Sequence, residues 1–91
     1  MTAVAVTLPA SVLAAHLESC AAELAVSLPS LPPEDLERVL AQLVSGQRHL
    51  AAALSGLAAF QTGPLGEVLA AAARAAGHAA DALAEGEHLF D

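Results

Sequence analysis

The sequence has very few of the residues by which many functions are recognised. Among its 91 residues there is no tryptophan, no tyrosine and no lysine, and the aromatic fraction is 2%. The cations are Arg38, Arg48 and Arg74, which face ten acidic residues and leave a formal net charge of -7. A protein that binds nucleic acid needs a basic patch to neutralise phosphates. This balance excludes that class and predicts no nucleic-acid partner.

Cysteine and targeting features are also scarce. Cys20 is the single cysteine, so the chain cannot form an internal disulfide. Because small secreted domains typically have disulfides, we expect a cytoplasmic protein. The apolar N-terminus lacks a positively charged leader, and Pro9 and Ser11 interrupt it, which argues against a secretory signal. Polar residues divide the longest apolar stretch before it reaches the roughly 18 residues of a membrane span. We therefore expect no membrane partner.

The abundant residues favour helices. The hydrophobic fraction is 56% and consists mostly of Ala and Leu, which are strong helix formers. Proline-containing segments at residues 27–35 and 61–66 divide the chain, because proline is tolerated in the first turn of a helix but not in its interior. The sequence predicts one all-α domain over residues 1–91. It consists of an extended arm at 1–9 and helices at about 10–28, 33–61 and 64–88.

Each predicted helix carries an apolar stripe at helical spacing. The third stripe is mostly alanine in its middle, which lets neighbouring helix axes approach closely. Because the links are short, we expect an up-down-up three-helix antiparallel bundle. The stripes are Leu13, Leu17, Cys20, Leu24 and Leu28; then Leu36, Val39, Leu40, Leu43, Gln47, Leu50, Leu54, Leu57 and Ala58; then Leu65, Val68, Leu69, Ala72, Ala76, Ala79, Leu83 and Phe90.

The predicted helices differ in length. At 1.5 Å per residue the second hairpin extends beyond the first helix by about 15 Å, which leaves apolar residues uncovered at its tip. We expect a partner to cover them, either a second copy in a homodimer or another helical chain, with the arm as a further contributor. The candidate interaction residues are Leu54, Leu57, Phe60, Leu65 and Leu69.

Two polar residues are candidates for a buried polar layer. Gln47 lies near the centre of the second stripe, where an amide costs free energy unless it is hydrogen-bonded. His16 lies at the edge of the first stripe at nearly the same height, so it is the candidate partner of Gln47. Such a layer can fix helix register and oligomeric state. The alternative is that Gln47 lies at the margin of its stripe and reaches water.

The stretch HLESC, residues 16–20, places a histidine and a cysteine one helical turn apart, a spacing that could suit a metal. His49 and His78 are predicted at a similar height, but they point outward while Cys20 points inward, so a tetrahedral shell cannot form. We expect no metal and no cofactor, with Cys20 packed as a small hydrophobe. The sequence has no phosphate loop, nucleophile elbow, CxxC pair or HExxH, so we expect no enzyme.

These expectations favour a non-enzymatic helical module that associates with itself or with another helical chain. An alternative is an acidic, antitoxin-like inhibitor of a basic partner, because net charge can steer such a complex. The residues it would use are Glu34, Asp35, Glu37, Asp81, Glu85 and Glu87. A metal sensor that uses His16 and Cys20 is the least favoured hypothesis.

The stretch TLPASVLAAHLESCAAELA, residues 7–25, combines an extended start, a proline and an alanine-rich helix. In this it resembles the PE proteins and the WXG-type small helical proteins of specialised secretion systems, and the likeness spans the first two predicted helices. The resemblance implies a helical heterodimer with a partner chain, and export. The chain departs from those families at Ala10, where they have Glu, and in its lack of the Trp and Tyr of their motifs.

Overall fold

The structure is a computed structural model that describes residues 9–90. Within this range the chain forms three α-helices and no strand: α1 Ala10–Ser27, α2 Pro33–Ala59 and α3 Gly63–Glu87. Short 3-10 helices, Leu28–Ser30 and His88–Phe90, follow α1 and α3. The predicted all-α class is confirmed, and α2 and α3 pack closely, as in a helical bundle. The predicted arm lies outside the described residues, apart from Pro9.

The chain divides into two units, Met1–Leu31 and Pro32–Asp91. The first unit contains α1, which begins after Pro9 with the N–H groups of Val12 and Leu13 donating to the Pro9 carbonyl. Every residue of α1 is exposed. The prediction that Cys20 is buried in a helical seam is therefore wrong, because α1 buries neither of its faces.

α1 and the turn that follows it also have the composition of a membrane span. Ala10–Ser30 is long and apolar enough to cross a membrane by length and composition, with a mean hydropathy of 1.2. Glu18 and Glu23 lie inside it, and one acidic residue at the centre of a bilayer costs about 3 kcal/mol. The expectation of no membrane partner stays a prediction.

The second unit is a helical hairpin of α2 and α3. α2 begins at Pro33, and Glu34 and Asp35 lie in its first turn, where the helix dipole favours negative charge. Two contacts between the helices give the register of the pair. Nη1 of Arg48 lies 3.1 Å from Oδ1 of Asp81. Near the end of α3, Leu40 approaches Gly86: Cδ2 of Leu40 lies 3.2 Å from the position that a Cβ on Gly86 would take. The hairpin is therefore antiparallel.

The loop between α2 and α3 is short and tightly bonded. The N–H of Phe60 donates to the Leu57 carbonyl at 3.2 Å, and the N–H of Gln61 donates to the Ala58 carbonyl at 3.1 Å. α3 starts at Gly63 with a φ of 71°, a left-handed conformation that glycine adopts without steric cost. These bonds turn the chain back within residues 60–62, which sets α3 directly against α2.

The buried centre of the hairpin consists of small side chains. Within residues 9–90 the buried hydrophobic residues are Val44, Ala76 and Ala80, with exposed fractions of 8%, 8% and 0%. Leu65 and Val68, which were predicted in the buried stripe of the third helix, are 55% and 63% exposed. The predicted stripe is therefore rotated from the packed face, because the alanine side of α3 allows a closer approach to α2 than its leucine side. Small half-buried residues surround this centre on α3: Gly66, Ala70, Ala73, Gly77 and Ala84.

Candidate functional site

The five residues predicted to contact a partner lie at the loop end of the hairpin. Leu57, Phe60 and Leu65 are exposed, with 50%, 85% and 55% of their surface accessible. Leu54 and Leu69 are half-buried. Three large apolar side chains therefore face solvent within a few residues of one loop. That a partner covers them stays a prediction.

Two of the five, Leu57 and Leu65, belong to a longer surface that follows a seven-residue repeat. Leucine recurs at every seventh position of α2, and residues seven apart lie on nearly the same face of a helix. A second row lies beside the leucines on α2, and two matching rows run along α3. We call the fourteen residues the open face. They are Leu36, Val39, Leu43, Gly46, Leu50, Ala53 and Leu57 of α2, and Leu65, Val68, Ala72, Ala75, Ala79, Ala82 and Gly86 of α3.

The open face is uniformly apolar and accessible. None of its fourteen residues carries a charge or a side-chain hydrogen-bonding group, and none is buried. Leu36, at the end distant from the loop, is 45% exposed. α2 has 27 residues and is therefore about 40 Å long. The open face occupies about 32 Å of that length, from Leu36 to Leu57, so with two helices 8–10 Å apart it covers roughly 600 Å², the upper end of the range for the largest apolar patch of a typical monomer.

The opposite side of the hairpin is polar. Arg48 and Asp81 form their ion pair there, with side chains 52% and 67% exposed. Such an exposed pair contributes at most about 1 kcal/mol. An open cleft of about 470 Å³ lies beside it, lined by Glu37, Val44, Arg48, Ala84, Glu87 and His88. Helical spacing separates Arg48 and Asp81 from the leucine rows, so charge and apolar surface occupy different sides.

The two residues of the candidate polar layer belong to different units. Gln47 is half-buried on α2, and within residues 9–90 its side chain makes no hydrogen bond. His16 is an exposed residue of α1. The hydrogen bond between His16 and Gln47 stays a prediction, as does the alternative in which Gln47 reaches water.

The histidines do not gather into a cluster in the part of the chain that the structure describes. No three His, Cys, Asp or Glu residues between positions 9 and 90 could hold a metal ion together. His16, Cys20 and Glu23 are all exposed on α1. The expectation that the protein uses neither a metal nor a cofactor stays a prediction.

The acidic residues of the alternative hypothesis collect at one end of the hairpin. Because the helices are antiparallel, the start of α2 and the end of α3 lie at the same end. Asp81, slightly further along, is engaged by Arg48. The residues at that end are Glu34, Asp35, Glu37, Glu85 and Glu87. This end also contains the open cleft, which Glu37 and Glu87 line, while Asp35 directly precedes Leu36 of the open face.

Sequence reasoning found the loop end of the open face but not the whole surface. The missed residues were Gly46, Ala53, Ala75, Ala82 and Gly86, which are too small to mark an apolar stripe. The signal that could have found them is the seven-residue recurrence of leucine in α2. Comparisons of the chain with protein-family models, with curated proteins and with solved structures found no match.

Proposed function

We propose that this chain is a non-enzymatic helical module. It associates, through the open face of its α2–α3 hairpin, with a second copy of itself or with another helical chain. The observation that carries the proposal is the open face, an uncharged apolar surface of roughly 600 Å² on one side of the hairpin. A surface of this size that stays in water costs free energy, and helix packing against it removes that cost.

The distribution of charge supports an apolar association over an electrostatic one. The formal net charge is -7, so two copies repel each other at long range. None of that charge lies on the open face, although Asp35 borders it and most of the hairpin's other carboxylates lie at the same end. The remaining repulsion acts between exposed carboxylates and is screened by salt. Association through the open face should therefore persist or strengthen as the salt concentration rises.

The test is the mass of the full chain in solution at micromolar concentration, measured by light scattering during size-exclusion chromatography. We expect at least twice the 9.1 kDa chain mass, at physiological salt and at about 1 M salt, where the Debye length falls to about 3 Å. A 9.1 kDa species under both conditions would contradict self-association. Dissociation by salt alone would contradict an apolar contact, because salt does not weaken burial of the open face.

A pair of matched variants links the association to the open face. Ala75→Glu places a carboxylate on the face, and burying it without a partner should weaken association at least about 100-fold. Ala71→Glu adds the same charge to the same helix, but in the row that holds His78 and Glu85, which are exposed. It should associate like the parent chain. Circular dichroism of both variants checks that their helices remain folded. Equal association of the two variants would show that the open face is not the contact.

A further inference from the structure

We infer, on the basis of the proposed function, that the partner on the open face is a second copy of this chain. The two hairpins then form a four-helix bundle about a two-fold axis parallel to the helices. In this arrangement α2 of one copy lies against α3 of the other, and the two loops lie at the same end. The acidic ends of the two copies then also lie side by side, and salt screens the repulsion between them. Such an interface is isologous, because each copy contributes the same surface.

The shape of the open face favours this arrangement. Its α2 half carries four leucines at seven-residue spacing, and the middle of its α3 half carries only alanine, with glycine at the distal end. α2 is therefore a ridge and α3 a flat surface. When α2 lies against the partner copy's α3, each ridge packs on a flat surface, and both halves of the interface fill equally.

The other two-fold arrangement leaves the interface unevenly filled. If the axis were perpendicular to the helices, α2 would lie against α2 and α3 against α3. The middle leucines, Leu43 and Leu50, would then meet each other, while Ala75 and Ala79 would face the partner copy's alanines across a gap. A void removes dispersion contacts from the atoms that line it. Ridge-to-flat packing avoids both the crowding and the void.

The loop end gives an independent reason for the parallel axis. Leu57, Phe60, Leu65 and Val68 are each at least 50% exposed and lie within two helical turns of the loop or within the loop itself. With the loops at the same end, these residues from both copies form one apolar cluster. With the loops at opposite ends, each group of four would face the distal half of the other hairpin, where α3 ends in Gly86.

The area is sufficient for a stable dimer. Roughly 600 Å² from each copy gives about 1,200 Å² in total, which is the lower end of the range for stable, specific protein interfaces. α1 does not supply an equal cover. Its 18 residues span about 27 Å of the roughly 32 Å open face, and one helix of about 10–12 Å diameter is narrower than a face that two helices form.

The experiment measures distances between spin labels in the full-length dimer by pulsed electron paramagnetic resonance. Exposed Cys20 is first changed to Ser, and Thr62→Cys then places one label in each loop. Thr62 makes no capping hydrogen bond, so this change removes none. With loops at the same end we expect a label separation of about 15–30 Å. Loops at opposite ends give about 40 Å or more.

A second labelled position separates failure of this arrangement from failure of the proposed function. Ser45→Cys lies near the middle of α2 and on its exposed outer side, so its separation is similar for both axes. A short distance between the two labels at position 62, together with a measurable distance between the two labels at position 45, supports the parallel dimer. A long Thr62 distance beside the Ser45 distance overturns the parallel axis but leaves self-association in place. Neither distance, together with a monomer mass, overturns both.

Discussion

A single methyl group at Gly66 should destabilise the hairpin. An ideal Cβ at this position would lie 2.6 Å from the Gln61 carbonyl oxygen, 3.1 Å from the Gln61 carbonyl carbon and 3.7 Å from the Ala58 carbonyl oxygen. The first two atoms belong to the backbone of the loop, so no side-chain rotation relieves the clash. The loop itself must move, although hydrogen bonds at Phe60 and Gln61 hold it in place.

The magnitude follows from two opposing effects. Overpacking of this kind costs typically 1–3 kcal/mol, and we take the upper value of about 3 kcal/mol because backbone atoms must shift. Alanine is about 1 kcal/mol more favourable than glycine inside a helix. Gly66→Ala should therefore lose about 2 kcal/mol of unfolding free energy, which lowers the Tm by roughly 8–16 °C in a chain of this size.

Thermal unfolding followed by circular dichroism checks this prediction, at one fixed protein concentration because association shifts the Tm. The matched control is Gly56→Ala, since a Cβ on Gly56 meets nothing within 4 Å and Gly56 is exposed. This variant should gain up to about 1 kcal/mol. If Gly66→Ala raises the Tm as Gly56→Ala does, the close approach of loop and helix is refuted.

Three further predictions follow from burial and exposure. Truncation of Arg48 or Asp81 should lower the free energy of unfolding by less than about 1 kcal/mol. A double-mutant cycle measured by denaturant unfolding should give a coupling free energy that decreases as salt is added. A coupling of several kcal/mol would contradict an exposed pair. Ala80→Leu should lower the free energy of unfolding by about 1–3 kcal/mol, because Ala80 is 0% exposed. Its control, Ala71→Leu on the exposed side, should change that free energy by less than about 0.5 kcal/mol. Equal denaturation midpoints for the two variants would contradict the packed alanine face. Cys20 should react with a thiol reagent in the native chain nearly as fast as in denaturant, because it is exposed; strong protection would indicate that another helix covers α1.

The positions of the helices could be predicted from the sequence because their signals are local. Pro33 and Pro64 mark helix starts, since proline lacks the N–H that a helix interior needs. The observed starts at Pro33 and Gly63 lie at or beside these residues. Alanine and leucine between the breaks favour helix with no competing strand pattern.

The packed faces were harder to predict because they depend on how closely two backbones approach. The expected third stripe followed the largest side chains, such as Leu65 and Val68, since burial of large apolar groups gives the largest gain per residue. The hairpin buries Ala76, which belonged to that stripe, and Ala80, which did not. Val44, also buried, lay outside the expected stripe of α2. A periodic pattern in one helix cannot show which of two adjacent apolar rows its neighbour will contact.

An alanine-lined contact between α2 and α3 has a thermodynamic consequence. Alanine loses no rotamer freedom when it is buried, but it also removes little apolar area from water. The heat capacity change of unfolding rises with the apolar area exposed. The hairpin should therefore unfold with a small heat capacity change for its length. Its free energy of unfolding should vary little with temperature around the maximum, and its thermal transition should be broad.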